Sequence, residues 1–184
     1  MKKAPSTLIN MLLSLTLIAV VAGGVLGLVS SMTAEPIAAA EKAKNEEAIK
    51  SVLPEFASLQ TQEIDGSECN LALDAQGQPV GMAVKATSDK GFGGDLGVMV
   101  GFDNEGNITG YEIVQTSETP GLGAKAATWF KEKCNVIGMN PSQPLSVKKD
   151  GGEIDAISGS TITSRAFCEA INNAYAVFQK GGNK

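Results

Sequence analysis

No charged residue occurs between Lys3 and Glu35. Within that stretch, Leu8 to Val29 is almost continuously apolar, interrupted only by Asn10, Ser14, Thr16 and the glycines at 23, 24 and 27. At about 1.5 Å per residue, a helix of this length reaches across the roughly 30 Å hydrocarbon layer of a membrane. A core helix of a water-soluble domain would show a polar face, and this segment has none. A cleaved signal peptide has a shorter apolar core of about 7–15 residues, and Ser30-Ser-Met-Thr-Ala34 makes an indifferent cleavage site. Residues 7–32 are therefore expected to form a retained, single-pass transmembrane helix. Lys2 and Lys3 precede it and acidic residues follow, so residues 1–6 are expected in the cytoplasm. Everything after the anchor then lies on the extracytoplasmic (periplasmic) side of the inner membrane.

Beyond the anchor, Glu35-Pro36 opens a stretch rich in Ala, Glu and Lys that runs to about Leu53 and stops at Pro54. Proline suits the first turn of a helix and the position just past its end, so residues 33–60 read as a stalk helix and linker. Residues 61–184 are left for one extracytoplasmic domain, and the 184-residue length allows no more.

Composition narrows what that domain can do. The net charge is -5 with no basic run, which argues against nucleic acid as a partner. There is no histidine, which removes imidazole acid–base catalysis, the Ser-His-Asp triad and most zinc enzymes. Cys69, Cys134 and Cys168 lie far apart, without a CxxC pair. They read as buried small hydrophobes rather than ligands of a metal or iron–sulfur cluster, with a disulfide open as an alternative.

From about Glu63 the pattern turns to strands and tight turns. Asp74-Ala-Gln-Gly77 and Asp103-Asn-Glu-Gly106 repeat one motif, each followed by a second Gly and a closing aliphatic residue at matched spacing. Each lies between strand-like runs, Leu71–Leu73 with Val80–Val84, and Val98–Phe102 with Ile108–Val114, so two β-hairpins are expected. Asp103-Asn-Glu-Gly106 resembles part of a calcium loop, but its glycine is misplaced and no closing Glu follows. Lys90-Gly-Phe-Gly-Gly-Asp95 enters a strand rather than a helix, which makes it a flexible turn and not a nucleotide fingerprint. Glu118-Thr-Pro-Gly-Leu-Gly123 is a rigid turn. A short helix over about Ala124–Lys133 follows it, with Trp129 and Phe130 facing inward, and Val147–Ile154 is expected to turn between short strands. A final helix from Thr161 to about Gln179 carries apolar residues at 162, 166, 167, 170, 171, 174, 177 and 178, one face by their spacing, and Gly181-Gly182 ends it.

Directly before that helix stands Asp155-Ala-Ile-Ser158-Gly159-Ser160-Thr161. Ser158 or Ser160 can cap the helix, Gly159 lets the backbone approach a ligand, and the free N–H groups sit at the positive end of the helix dipole. Hydroxyls at 158, 160, 161 and 163 surround the same point. Local chemistry alone yields either an anion site or an ordinary cap.

The seven residues also match Asp-x-x-Ser/Thr-Gly-Ala/Ser-Thr, the acceptor motif of the FMN-binding domains of the Rnf and Na⁺-translocating NADH:quinone reductase complexes. The resemblance extends in family order through Gly94-Asp-Leu-Gly-Val-Met-Val-Gly-Phe-Asp-x-x-Gly-x-Ile, Glu118-Thr-Pro-Gly-Leu-Gly123 and the acceptor motif, with the anchor where the family has one. The short chain and the compact region between hairpin and acceptor look more like the G subunit of Rnf than the longer C subunit of the quinone reductase. Two positions depart from the family: Ser160 stands where Ala is most frequent, adding a hydroxyl beside the acceptor, and Ser117 stands where His is common.

The resemblance implies an α+β fold in which a transmembrane helix precedes an FMN-binding domain of antiparallel hairpins packed with helices. It implies FMN joined through its phosphate to Thr161 by a separate flavin transferase that uses FAD. Ser158, Gly159, Ser160 and Thr163 would shape that site, and Asp155 would orient the acceptor or be read by the transferase. By the same resemblance Glu118, Thr119, Pro120, Gly121, Leu122 and Gly123 form the turn against the flavin ring, and Lys125 contacts the ring or phosphate. The implied function is a one-flavin relay, not catalytic alone, in an ion-pumping ferredoxin:NAD⁺ oxidoreductase. Its partners would be the other membrane and iron–sulfur subunits. The alternatives are the quinone-reductase C subunit and a non-redox, membrane-tethered anion-binding domain.

Overall fold

The computed structural model describes residues 7–181; the expected cytoplasmic residues 1–6 and Gly182 of the expected terminator lie outside them. The chain divides into two compact units, Met1–Ala43 and Lys44–Lys184. Helix α1, Leu8–Val52, supplies all the described structure of the first unit. It is the one helix among the described residues long and apolar enough to cross a membrane. It continues through Pro36 where a separate stalk helix was expected to open. A single proline removes one backbone bond, and the Ala/Glu/Lys run beyond it consists of strong helix formers.

The second unit is built on a five-stranded antiparallel meander in the order β1-β2-β3-β4-β5: Ser58–Ile64, Ser67–Leu73, Pro79–Ser88, Leu96–Phe102 and Ile108–Gln115. Both expected hairpins are present, as β2–β3 and β4–β5. Their shared motif has one physical basis. Asp74 Oδ1 accepts the N–H groups of Gln76 and Gln78, each at 2.8 Å, and Asp103 Oδ1 accepts those of Glu105 and Asn107 at 2.9 and 2.8 Å. The carboxylate thus closes each turn from inside, as Asx turns do.

The strands begin at Ser58, earlier than the expected Glu63, because Asp65-Gly66 makes a third hairpin between β1 and β2. Both residues have positive φ, 51° and 74°, the backbone of the two-residue turn that Asp-Gly favours. Strand β1 is missed by hydrophobic patterning because nearly every residue in it is exposed.

Each face of the sheet is covered. On one side Ala48, Ile49 and Val52 at the end of α1, with Leu53 just after it, pack against Ala72, Ala83, Met99 and Val114. On the other, Val84, Val98, Val100 and Phe102 meet α2 (Ala126–Glu132) and α3 (Thr161–Gly181). Phe130 of α2 stacks on Phe167 of α3, with centroids 4.1 Å apart and planes 7° from parallel, and Tyr111 meets the same ring edge-on. Trp129 is half-buried and donates from its indole N–H to Asp155 O at 3.0 Å.

The apolar face of α3 is as expected except at its start, where Ile162 is 48% exposed. Thr163 and Ser164 take the buried positions of that first turn instead. The expected turn at 147–154 contains a short 3-10 turn, Lys148–Asp150, closed by a parallel bridge between Val147 and Ile154. The three cysteines are free. Cys69 and Cys168 are buried, which pushes their thiols up to about 11 and about 12, whereas Cys134 is half-buried.

Candidate functional site

The loop preceding α3 is held from within the helix. Ser164 Oγ accepts the Ile157 N–H at 2.9 Å and donates to Ser160 O at 2.9 Å, while Ser160 N–H donates to Ile157 O at 2.9 Å. The expected side-chain cap by Ser158 or Ser160 is not formed among the described residues. Ser164, one turn further on, does the stitching instead, and the sequence reading passed over it. Gly159 sits at φ 79°, a left-handed backbone that L side chains rarely adopt, and turns the chain so that Thr161 opens α3.

The 118–123 turn arrives from the other side. Leu122 and Ala124 donate their N–H groups to Thr119 O at 3.2 and 3.3 Å, and Gly121 has φ 80°. Glu118 is 8% exposed, and its Oε1 accepts the Phe92 N–H at 2.8 Å, tying the glycine-rich loop before β4 to this turn. At Gly123 a Cβ would lie 2.4 Å from Glu118 Oε2 and 2.7 Å from Thr163 Oγ1. Only a residue without a side chain lets these two oxygens approach the same backbone point.

These segments enclose a cavity of about 350 Å³ lined by Phe92, Glu118, Thr119, Leu122, Gly123, Lys149 and Gly159–Thr163. Its size falls in the range of cofactor and small-molecule sites, about 300–1,000 Å³. Of the sequence-predicted residues the structure brings together Glu118, Thr119, Leu122, Gly123, Gly159, Ser160, Thr161 and Thr163. Pro120, Gly121 and Lys125 belong to the turn but not to the cavity wall, and Ser158 is exposed beside it. Asp155 also stands outside, its carboxylate paired with Lys148 Nζ at 2.8 Å.

Three lining residues escaped the sequence reading. Phe92 is 70% exposed and Ile162 48%, and with Leu122 at 46% they put three large apolar groups around one opening. The third, Lys149, donates from Nζ to Thr161 Oγ1 at 3.2 Å. Phe92 was legible as the one large side chain in a run of glycines. Lys149 gave no signal, since contact across twelve residues depends on the intervening turn.

Two observations fit the wall to a polar, anionic ligand. Thr163 Oγ1 is buried, at 1% exposure, and has no hydrogen-bond partner, a rare state for a buried hydroxyl. The first turn of α3 contributes N–H groups with no carbonyl one turn earlier, beside the Lys149 ammonium.

Residues 91–176 match the FMN-binding domain family, a span containing every lining residue of this cavity. The chain is 30% identical to the G subunit of the Na(+)-translocating ferredoxin:NAD(+) oxidoreductase complex of Acetobacterium woodii, over 91% of this chain and 89% of that protein. It is likewise 30% identical to the G subunit of the ion-translocating oxidoreductase complex of Methanosarcina acetivorans, over 94% of this chain and 96% of that one. Among solved structures, NqrC of Shewanella oneidensis shares the fold, with a TM-score of 0.50 and 22% identity, covering 72% of this chain and 70% of that one. Matched along nearly its whole length, the chain belongs to the family of G subunits of ion-translocating oxidoreductase complexes and contains an FMN-binding domain.

Proposed function

We propose that this chain is a membrane-anchored electron-transfer subunit that carries FMN, attached through its phosphate to Thr161, in an ion-translocating ferredoxin:NAD⁺ oxidoreductase complex. The observation that carries this reading is the meeting of two motifs distant in sequence. Thr161 and the Glu118–Gly123 turn line one cavity whose wall also carries an unpartnered buried hydroxyl, that of Thr163.

The residues divide the work by position. Thr161 is an attachment point, with the helix start and Lys149 set to compensate a phosphate charge. Phe92, Leu122 and Ile162 offer apolar surface to a ring system, and Thr119 and Thr163 offer hydroxyls. Glu118 acts through Phe92 and Gly123, holding the two loops in register. When bound, the cofactor supplies the redox chemistry, while the protein fixes its place and surroundings. Helix α1 anchors the chain, and the Lys2-Lys3 pair ahead of it favours an extracytoplasmic flavin domain. The other subunits of the complex supply the donor and the acceptor, and a flavin transferase loads Thr161.

The test is co-expression with a flavin transferase, denaturing electrophoresis under ultraviolet light and peptide mass analysis. A fluorescent band with the FMN mass on the Thr161 peptide is expected, and it should vanish in Thr161→Ala. A dark wild-type band would sink the flavin reading. Fluorescence that survives Thr161→Ala would move the attachment elsewhere, with Ser160 the first residue to examine.

A further inference from the structure

Three consecutive residues reach the acceptor segment from the turn between Val147 and Gly151. Lys148 Nζ pairs with Asp155 Oδ2 at 2.8 Å, ahead of the loop. Lys149 Nζ donates to Thr161 Oγ1 at 3.2 Å. Asp150 accepts Arg165 Nε and Nη2 at 2.6 and 2.7 Å, one turn into α3. Hydrogen bonding from Arg165 holds the Asp150 carboxyl below its ordinary range, and bonding to Asp155 raises Lys148 above its own. Each pair is exposed and weak alone. Acting on both sides of Lys149, they restrict where its ammonium can stand relative to the helix start.

Nearby hydroxyls differ in what they are free to do. Ser164 already accepts and donates, and Thr163 and Ser160 are buried. Ser158 is exposed outside the cavity wall. Thr161 alone combines half-exposure, a place on the wall and a cation on its oxygen. Because the ammonium donates to Oγ1, the hydroxyl's own proton is not used in that bond.

We propose that Lys149 is the charge-compensating residue of the attachment site. It marks Thr161 as the acceptor over its neighbours, favours loss of the Thr161 proton, and neutralises the phosphodiester formed there. This rests on the Thr161 reading above. In the transfer, Thr161 Oγ1 forms a bond to the FMN-side phosphorus of flavin adenine dinucleotide, and the pyrophosphate P–O bond breaks. AMP leaves with the bridging oxygen, the hydroxyl proton passes to a base of the transferase or to water, and no electron changes hands. Lys149 touches the reacting oxygen, whereas Lys148, Asp150, Asp155 and Arg165 are positioning residues.

The experiment uses the full chain in detergent with purified flavin transferase and FAD. Initial rates of covalent labelling are read by in-gel fluorescence, and the labelled residue by peptide mass. Lys149→Met should slow labelling by about tenfold or more, the range for loss of a hydrogen bond to a charged group. Lys149→Arg should stay within about threefold of wild type, and added salt should narrow the gap between wild type and Lys149→Met. Lys149 is exposed, so both variants should melt with the unmodified wild type. Lys149→Met labelling Thr161 at the wild-type rate, or Lys149→Arg as slow as Lys149→Met, would overturn the proposal while leaving the flavin reading intact. Wild type that takes up no flavin would overturn both.

Discussion

Thr163 Oγ1 has been taken out of water and given nothing in return. A buried hydroxyl left unpaired costs on the order of 1–3 kcal/mol. That cost is tolerable if a ligand oxygen or nitrogen completes the site when the cofactor is present. Thr163→Val keeps the branched shape and removes the polar atom. In the unmodified protein it should therefore raise stability by about 1 kcal/mol, or about 3 °C in Tm for a chain of this size. In the flavin-loaded protein the same substitution should give less stabilisation or reverse sign, since there the hydroxyl has a partner to lose. Melting wild type and Thr163→Val with and without covalent flavin decides the matter. Equal shifts in both states would mean that Thr163 never meets the cofactor.

At the scale of elements, the end of α1 is seated in a notch made by absent side chains. Gly101 of β4 and Gly110 of β5 are directly opposite each other across the strands. A Cβ on Gly101 would stand 2.1 Å from Val52 O, and one on Gly110 would stand 2.9 Å from Val52 Cα. Thr109 Oγ1 donates to the same Val52 carbonyl at 2.6 Å, closing the helix terminus with a strand side chain. Gly101→Ala should thus push the helix end away, costing about 1–3 kcal/mol as overpacking does. It should appear as a lower urea midpoint without loss of the cavity at the start of α3, which belongs to the other side of the sheet. An unchanged midpoint would show that the helix end is not seated there.

What the sequence made legible follows the same division between local and distant causes. The Asp74 and Asp103 turns were readable because each carboxylate bonds backbone within four residues. The start of α3 was readable from its spacing and from the acceptor motif. Strand β1 was not, because an exposed edge strand carries no apolar alternation and its only marker is Asp65-Gly66. Ile162 was misread because periodicity reports a helix face but not that one residue on it lines a cavity rather than the core. The glycines at 101, 110 and 123 are legible as glycines, but groups they admit, Val52 and Thr163, come from other elements. For the cavity this means that eight of its lining residues, from Glu118 to Thr163, were named from sequence, whereas Ile162 and Lys149 required the fold.

For the whole molecule, the division between anchor and flavin domain does not coincide with the end of the apolar run or with the first strand. The second compact unit begins at Lys44, inside α1. Lys44 Nζ donates to Val114 O at 2.7 Å on edge strand β5, and Ala48, Ile49, Val52 and Leu53 are all buried against the sheet. Burying three aliphatic side chains of this size contributes about 1.5–3 kcal/mol each. The sum rivals the whole net stability of an ordinary domain, about 5–15 kcal/mol. Losing that last turn and a half of α1 would also uncover Ala72, Ala83, Met99 and Val114, leaving an apolar sheet face in water. A fragment of residues 44–184 should therefore leave the membrane fraction without detergent, melt cooperatively and accept flavin at Thr161. A fragment of residues 57–184, which keeps all five strands and the entire cavity wall, should aggregate or melt at least about 10 °C lower. Gel filtration and thermal melts of the two fragments separate the outcomes. A well-behaved shorter fragment would show that the end of α1 is only a tether. Its failure beside a folded longer one would show that the anchor helix also completes the core on which the flavin site is built.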